Sequence, residues 1–314
     1  MLKGDRPVTA ELALPIITVG KEFERINAVR THFQDTQHLI SSGILSEYAD
    51  ALILIKGSRK SNLEKIIRNF QLKKHKTRLE INLTSIKENL NLLRSYLHKT
   101  CNLLVMVKAS SYGSGAVKIA SFLEKNGVNY LGVAYADEGI ELRNEGISTP
   151  IMVMNMDAAS FDVLIEHQLE PEIYSLNIFK AFHQYLLQQG IYQFPIHIKL
   201  NTGMNRLGFD FNEVEELASL LKQQQTMVVQ SVFSHLTSSE LAAHDHFTNQ
   251  QTEIFLNGCN TLEKILGYSF IKHIVNSAGI FRHANLQFDM VRLGIGLYGI
   301  DNANGKEIHL QTVA

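Results

Sequence analysis

The chain has 314 residues, of which 45% are hydrophobic and 19% are charged, and its formal net charge is -1. This length accommodates two modest domains, or one large α/β domain with an appendage. The near-neutral charge excludes a global electrostatic preference for nucleic acid or an anionic membrane, and no apolar run approaches the roughly 20 residues of a membrane span. Two distant cysteines, Cys101 and Cys259, and an amino terminus without an apolar signal segment predict a cytoplasmic protein without disulfides.

The first part of the chain, residues 1–72, contains two short apolar runs at residues 16–19 and 52–55. Each run is followed within two residues by a glycine and then by a charged, helix-like stretch. This order predicts an incomplete α/β segment of Rossmann-like character. Residues 73–78 are polar and basic, and they predict a linker to the rest of the chain.

Apolar, strand-like segments alternate with helix-like segments between residues 79 and 301. The predicted strands lie near residues 103–107, 130–134, 151–154, 172–174, 196–200, 228–233, 271–275 and 289–291. Ile86, Leu90, Leu93 and Leu97 have the spacing of a helix packed on a sheet, with Thr84 as its predicted N-cap. The alternation predicts an α/β fold, a (β/α)8 barrel of the TIM type, and leaves an open doubly wound sheet as the alternative. In a barrel, reactive groups should follow the strand ends.

The first predicted barrel strand ends at a lysine, Lys108, within the run Val-Lys-Ala-Ser-Ser-Tyr-Gly-Ser-Gly at residues 107–115. Partial desolvation at the end of an apolar strand favours the uncharged, nucleophilic amine that Schiff-base chemistry needs. Gly113 and Gly115 then open a helix whose amides could bind phosphate, although Lys118 occupies the third glycine position of a dinucleotide fingerprint. Taken alone, a lysine at this position is more often a solvated residue of the barrel rim.

Further polar residues follow the later strands. Arg206 lies in a glycine-bounded turn after the fifth strand, where a guanidinium can be aimed at an oxyanion. His235 follows the sixth strand, and the pair Asn276–Ser277 follows the seventh. Arg292 and the Gly294–Ile295 step belong to the eighth, where barrels often bind a phosphate group. None of these residues indicates a site by itself, but their shared position after strand ends indicates one cavity.

Together these segments resemble the alanine racemase family. The matching runs occur in family order: Val107-Lys108-Ala109-x-x-Tyr112-Gly113-x-Gly115, Lys199-x-Asn201-Thr202-Gly203-Met204-x-Arg206-Leu207-Gly208, Ser234-His235, Asn276-Ser277 and Val291-Arg292-x-Gly294-Ile295. The resemblance covers about residues 78–300. As a set these motifs are highly specific, whereas each alone is moderately so.

The resemblance implies pyridoxal 5'-phosphate (PLP) as the cofactor and a role for each matched position. Lys108 would form the internal aldimine with PLP and serve as one of two acid/base groups. Arg206 would contact the cofactor's phenolic oxygen and the substrate carboxylate, and His235 would lie against the pyridine ring. The remaining matched positions surround the cofactor: Tyr112, Ser277 and the Gly294–Ile295 backbone would hold the phosphate, Asn276 would line the same pocket, and Arg292 would face the ring nitrogen.

The implied position of Arg292 has a chemical consequence. A guanidinium does not release its proton in proteins, so it can donate to the ring nitrogen but cannot accept a proton from it. The ring then withdraws electrons weakly, which favours rapid reprotonation of the α-carbon over transamination or elimination. This property suits a racemase.

The resemblance also implies an activity, a substrate and an assembly. A homodimer would interconvert L- and D-alanine for peptidoglycan precursor synthesis. In this family a carboxyl-terminal β domain supplies a tyrosine, the second base, across the dimer interface. Residues 302–314 would be only the start of that domain, so we expect the chain as given to racemise little or not at all. The alternative is a non-catalytic PLP-binding barrel, or a scaffold fused to a cell-wall ligase.

Two local features carry further expectations. Asn201 replaces an aspartate that is frequent in the family, which would leave Lys199 and Arg206 as neighbouring cations. Carbamylation of Lys199 is a hypothesis that would relieve this repulsion. The run at residues 244–246, His-Asp-His, lies in a polar stretch without cysteines, and we expect solvated residues there rather than a metal site.

The amino-terminal segment has a resemblance of its own. Residues 54–59 and a predicted helix at residues 63–70 resemble the closing segment of the ligase that adds D-alanyl-D-alanine to the muramoyl tripeptide. The chain lacks an ATP-binding loop, so ligase activity is not expected. The order of the two segments predicts a fragment of a bifunctional fusion, and a generic α/β appendage is the alternative.

Overall fold

The computed structural model describes residues 15–24, 31–48, 51–57, 63, 65–67, 79–300 and 309–314. The chain divides into two compact units, Met1–Arg78 and Leu79–Ala314. The predicted linker at residues 73–78 lies outside the described residues. Within the described part of the chain, no helix is both long enough and apolar enough to span a membrane.

The first unit contains a small parallel sheet of two strands, β1 (Ile17–Val19) and β2 (Thr31–Phe33), followed by helix α1 (Thr36–Ser41). Short 3-10 turns occupy Lys21–Phe23 and Ile44–Tyr48. The strand predicted at residues 52–55 is wrong, because this run pairs with neither β1 nor β2 and Leu52 is fully exposed. Residues 65–67 of the helix predicted at 63–70 are helical, and most of the others lie outside the described residues.

The second unit is a barrel of eight parallel strands. They are β3 (Asn102–Met106), β4 (Tyr130–Val133), β5 (Ile151–Val153), β6 (Glu170–Ile173), β7 (Phe194–Lys199), β8 (Met227–Phe233), β9 (Ile271–His273) and β10 (Met290–Leu293). Strands β3 to β9 pair in chain order, and β10 returns to pair with β3. The seam between β9 and β10 carries the backbone bonds Arg292 N to Val275 O (2.9 Å) and Asp289 N to Lys272 O (3.1 Å). The predicted barrel is confirmed, and the open sheet is wrong.

Helices surround this barrel: α2 (Leu83–Ser95), α3 (Ala116–Lys125), α4 (Ala136–Asn144), α5 (Phe161–Glu166), α6 (Leu176–Gln189), α7 (Val214–Gln223), α8 (Asp245–Leu266) and α9 (Ser277–Arg282). Short 3-10 turns lie at Ala158–Ser160, Phe211–Glu213, Ala242–His244, Ala284–Leu286 and Ile295–Tyr298. Helix α2 begins after Asn82, whose side chain accepts hydrogen bonds from Thr84 N (2.9 Å) and Ser85 N (3.2 Å). The N-cap predicted at Thr84 is therefore wrong, because Thr84 donates to the cap instead of forming it.

The apolar core has two layers in this unit. The larger cluster fills the space between the strands and the helices, and a smaller one of Leu104, Tyr130, Met152, Phe233 and Met290 lies among inward-facing strand residues. This packing holds the strand ends in fixed positions, which is where barrels place their chemistry.

Residues 309–314 have no regular secondary structure and pack against α2. Asn82 N donates to Val313 O at 2.8 Å. The side chain of Asn89 pairs with the backbone of Gln311, donating to its carbonyl at 2.9 Å and accepting from its amide at 2.6 Å. Residues 301–308 lie outside the described part of the chain.

Candidate active site

A cavity of about 790 Å³ opens at the carboxyl ends of the barrel strands. All nine residues predicted for the site line it: Lys108, Tyr112, Arg206, His235, Asn276, Ser277, Arg292, Gly294 and Ile295. Lys199, Phe233 and Glu240 also line this cavity and were not among the predicted site residues. Gly113 and Gly115 are not part of its lining, so the helix amides beside them do not form the anion site considered from the sequence.

Lys108 follows β3 at the start of an unusual left-handed turn. Residues 109–112 have φ between 51° and 54°, although none of them is glycine. A left-handed conformation costs roughly 1–2 kcal/mol for each such residue, so the surroundings must hold this turn in place. Glu138 contributes by accepting from Ala109 N at 2.6 Å. The turn brings both Lys108 and Tyr112 to the cavity.

Lys108 itself is exposed. The partial desolvation expected from the preceding apolar strand is therefore wrong, because the strand ends at the open mouth of the barrel. Lys199, the other lysine of the cavity, is buried. The two amines consequently differ in their access to a ligand.

Hydroxyl groups and backbone amides converge in the part of the cavity around Gly294. Ser277 Oγ accepts from Gly294 N at 2.8 Å, which leaves its own hydrogen available to a ligand. A Cβ at residue 294 would lie 3.0 Å from the Tyr112 hydroxyl and 3.7 Å from Ser277 Oγ, so glycine keeps this space open. Ile295 begins a 3-10 turn, and its amide has no acceptor within that turn. These donors suit an anion with several oxygens.

Asn276 lines the cavity and also caps helix α9. Its side-chain oxygen accepts from Gly279 N at 3.1 Å and from Ser239 Oγ at 2.7 Å. Its amide nitrogen donates to Leu236 O at 3.3 Å. These bonds fix the start of α9, and with it the position of Ser277.

Arg292 is buried beneath the cavity on β10. One terminal nitrogen donates to His273 Nδ1 at 2.9 Å and to the His273 carbonyl at 3.2 Å, and the other donates to the Ser234 carbonyl. Burial lowers the pKa of Arg292 to about 10, so the side chain stays charged near neutral pH. Burial, followed by Arg292 and the other cations of the cavity, lowers the pKa of His235 to about 3. His235 therefore presents a neutral ring.

Arg206 lies on the turn that follows β7. At Gly208 a Cβ would lie 2.7 Å from Asn201 N and 2.8 Å from Leu200 C, so only glycine lets the chain fold back here. The fold-back is closed by hydrogen bonds from Phe209 N to Lys199 O (2.9 Å) and from Asn201 N to Phe209 O (2.8 Å). Arg206 is exposed on this turn, at the cavity rim.

Lys199 is paired with a carboxylate that the sequence did not suggest. Its Nζ lies 3.0 Å from Oε1 of Glu172, a fully buried residue of β6. Lys199 and Arg206 both line the cavity, as expected for neighbouring cations, but Glu172 gives Lys199 a counter-charge, so carbamylation is not needed to supply one. Burial raises the pKa of Glu172 to about 7, although Lys199 and Arg292 oppose this shift. The only sequence signal was a glutamate inside the strand-like segment predicted at residues 172–174.

Within the described residues, no group of three or more His, Cys, Asp or Glu side chains is arranged to hold a metal ion. In the His-Asp-His run, the carboxylate of Asp245 binds the Arg282 guanidinium at 2.9 and 3.0 Å. This aspartate therefore helps to join α8 to α9.

Comparisons with known proteins agree with this architecture. Residues 81–302 match the model of the alanine racemase N-terminal domain. Alanine racemase 1 of Caldanaerobacter subterraneus subsp. tengcongensis is 31% identical over 225 residues, which cover 71% of this chain and 58% of that protein. The alanine racemase of Prochlorococcus marinus is 34% identical over 228 residues, covering 70% of this chain and 58% of that protein. The chain thus spans somewhat less than two thirds of the length of these relatives.

Solved structures give the same result. The alanine racemase of Clostridium difficile 630 superposes with a TM-score of 0.70 at 30% identity, covering 76% of this chain and 64% of that one. The alanine racemase of Bartonella henselae, solved with covalently bound pyridoxal phosphate, has a TM-score of 0.67 at 27% identity and covers 74% and 64% of the two chains. With the match of the domain model over most of its length, the chain belongs to the alanine racemase family and contains its N-terminal domain.

Proposed function

We propose that this chain is the cofactor-binding barrel of a PLP-dependent alanine racemase, with Lys108 as the lysine that binds the cofactor covalently. The observation that carries the proposal is the shared cavity. An exposed lysine, a cradle of hydroxyls and amides, and a buried arginine all reach it. Few cofactors other than PLP combine an electrophilic carbon, a phosphate and a ring nitrogen.

The residues present fit each part of PLP. Tyr112, Ser277 and the Gly294–Ile295 backbone would hold the phosphate: the two hydroxyls and the Ile295 amide would donate, and Gly294 leaves open the space that a Cβ would fill. The neutral ring of His235 would pack against the pyridine ring, since a neutral imidazole carries little desolvation cost. Arg292 would donate to the ring nitrogen, with Asn276 lining the same pocket.

The chain's own groups would then handle protons and charge. When bound, PLP supplies the electron sink that makes the α-hydrogen of an attached amino acid acidic. Lys108 would take this proton on one face and return a proton on the same face. Arg206, exposed at the rim, would bind the substrate carboxylate and the phenolic oxygen of the cofactor. Arg292 would keep the ring nitrogen unprotonated, because a guanidinium does not accept a proton.

Racemisation needs a second acid/base group on the opposite face, because a single amine reaches only one face. We place this group in a tyrosine supplied by the partner subunit of a homodimer, as the family resemblance implies. The product would be D-alanine for peptidoglycan precursors, and the two free thiols, Cys101 and Cys259, suit synthesis in the reducing cytoplasm.

The direct test is reductive trapping. We expect borohydride to fix one PLP per chain in the wild type, and Lys108→Ala to remove more than nine tenths of the label because the attacking amine is lost. Lys118→Ala, which removes an exposed lysine from α3, is the matched control and should label like the wild type. Absorption and intact mass measure the labelling, and peptide mapping locates it.

Two results would overturn the assignment. One is undiminished labelling of Lys108→Ala, and the other is a label that maps to the buried Lys199. If Lys108 is labelled but the chain does not exchange the α-hydrogen of alanine for solvent deuterium, the chain is a non-catalytic PLP-binding barrel.

A further inference from the structure

A chain of hydrogen-bonded polar side chains crosses the barrel interior, with one residue from each of five consecutive strands: Glu170 on β6, His197 on β7, Ser231 on β8, His273 on β9 and Arg292 on β10. The first two links are Glu170 Oε2 to His197 Nε2 at 2.9 Å and His197 Nδ1 to Ser231 Oγ at 2.6 Å. The next two are Ser231 Oγ to His273 Nε2 at 2.8 Å and His273 Nδ1 to Arg292 at 2.9 Å. The last link crosses the seam between β9 and β10.

When His197 and His273 each carry one proton, the two ends fix the direction of every bond between them. Arginine can only donate, so His273 Nδ1 must be the acceptor and its proton must lie on Nε2. That proton goes to Ser231 Oγ, and the serine hydrogen then goes to His197 Nδ1. The proton of His197 therefore lies on Nε2 and goes to Glu170, which as a carboxylate can only accept. Every group in the middle donates once and accepts once.

Burial makes this arrangement costly to disturb. His197, Ser231 and His273 are fully buried, whereas the side chain of Glu170 is 14% exposed at the first residue of β6. The pKa of His273 lies well below its ordinary value, first because of burial and then because of Arg292. A neutral His273 is what the bond from Arg292 requires.

We propose that Glu170, at the amino-terminal end of the barrel, is a positioning residue for Arg292 and acts through His197, Ser231 and His273. The inference rests on the proposed function in one respect, the role of Arg292 at the ring nitrogen of the cofactor. This row of hydrogen bonds would connect the ring nitrogen, through Arg292, to a carboxylate on the far side of the barrel. It orients the guanidinium and keeps a lone pair of His273 directed at it.

The alternative arrangement shows why the charge at Glu170 matters. If the group beside His197 could also donate, the protons of both histidines could move from Nε2 to Nδ1. Nδ1 of His273 would then carry a hydrogen that faces Arg292. Two donors would then oppose each other in a fully buried place, which costs the bond and displaces the guanidinium. Tyr130 also donates to Glu170 Oε2, at 3.2 Å, so this oxygen accepts from two donors.

The first measurement uses the cofactor-free chain. Nitrogen-15 NMR of the histidine side chains near pH 7.5 should place the proton of both His197 and His273 on Nε2 in the wild type. Glu170→Gln should turn both signals into tautomer mixtures, because a carboxamide can donate as well as accept and so no longer obliges His197 to donate from Nε2. A wild-type His273 protonated on Nδ1, or on both nitrogens, would overturn the proposal without reference to PLP.

The second measurement is the dissociation constant of PLP for this chain. We expect about a tenfold increase for Ser231→Ala and about a threefold increase for Glu170→Gln, which keeps an acceptor but removes the charge. Glu166→Gln makes the same change at an exposed residue of α5 and should bind PLP like the wild type. Glu170→Gln is the milder change, so it remains informative if Ser231→Ala does not fold.

The outcomes separate the two proposals. If the wild type forms no lysine-dependent PLP complex, the proposed function fails, and the tautomers still decide whether the chain of bonds exists. If the wild type binds PLP at Lys108 but Glu170→Gln and Ser231→Ala bind it as Glu166→Gln does, the positioning role of Glu170 fails alone.

Discussion

The two halves of the barrel interior differ sharply in chemistry. Strands β3 to β5 contribute the apolar residues Leu104, Met106, Tyr130, Met152 and Met154. Strands β6 to β10 add to the apolar Phe233, Ile271 and Met290 a set of polar residues, Glu170, Glu172, His197, Lys199, Ser231, His273 and Arg292, which bind one another across neighbouring strands. One half is held by packing, and the other by packing together with hydrogen bonds and an ion pair.

Phe233 lies between two cations of the polar half. Lys199 Nζ lies 5.5 Å and the Arg292 guanidinium carbon 5.1 Å from the centre of its ring, and His273 stacks on it at 5.1 Å. A ring face attracts cations, so Phe233 favours charge at both positions. The charges of the cavity therefore depend on groups deeper in the barrel, and these groups lie only in the polar half. Substitutions in the apolar half should therefore affect stability, and those in the polar half should affect protonation.

The largest effect on stability is expected in the apolar half. Leu104→Ala should lower the free energy of unfolding by about 2–5 kcal/mol, because it leaves a cavity at a fully buried site. Urea unfolding measures the change, and Leu187→Ala at a half-exposed position of α6 is the control. The amount of PLP fixed at saturation should not change. A folded Leu104→Ala protein that fixes less PLP would show that the apolar half also affects the cofactor site.

A smaller, pH-dependent effect is expected at Glu172. Its pKa of about 7 in the folded chain lies above the ordinary 4.5, so the folded chain binds more protons than the unfolded chain between these values. Glu172 therefore makes the free energy of unfolding fall as the pH rises from 4.5 to 7. Glu172→Gln should flatten this slope by about 1–3 kcal/mol across the window, measured by urea unfolding at each pH.

The exposed Glu166→Gln is the control for that experiment, and it should leave the slope unchanged. An equal slope in the Glu172→Gln and wild-type chains would mean that Glu172 is ionised throughout this range. Glu172 and Lys199 would then form a full ion pair over this pH range, which would strengthen the contrast with the apolar half.

The smallest effect is expected outside the barrel interior, at Glu124 on α3. Burial opposes the shift, but hydrogen bonds from Ser148 and Thr149, at 2.8 to 3.0 Å, lower the pKa of Glu124 to about 2. Its contribution to stability is present above pH 4.5 and is lost as the pH falls towards 2. Because the site is solvent-exposed, Glu124→Gln should cost only about 1 kcal/mol at pH 7.

Acid unfolding of Glu124→Gln should therefore be less steep than that of the wild type. Glu141→Gln, at an exposed position of α4, is the matched control. A wild-type slope in Glu124→Gln would show that the bonds to Ser148 and Thr149 contribute nothing in solution. Of the two glutamates Glu124 and Glu172, only Glu172 would then have a shifted pKa, and burial would be its cause.

Much of the second unit was predictable because its information is local. Runs of apolar residues predicted each barrel strand to within about two residues, since strand and helix periods are written in short windows. The motifs around Lys108, Arg206 and Arg292 identified residues that the structure brings to one cavity. Two of the errors were also local. The N-cap is Asn82 instead of Thr84, and the run at residues 52–55 pairs with no strand among the described residues.

The sequence alone determined the order of strands and helices and the residue types available after each strand. The three-dimensional structure was needed to show that β10 pairs with β3, that Glu172 pairs with Lys199, and that hydrogen bonds connect Glu170 to Arg292. Glu172 and Lys199 are 27 residues apart along the chain, and each link between Glu170 and Arg292 joins residues 19 to 42 positions apart. Their contact depends on strand register and barrel closure, which bring inward-facing side chains together regardless of their separation in sequence.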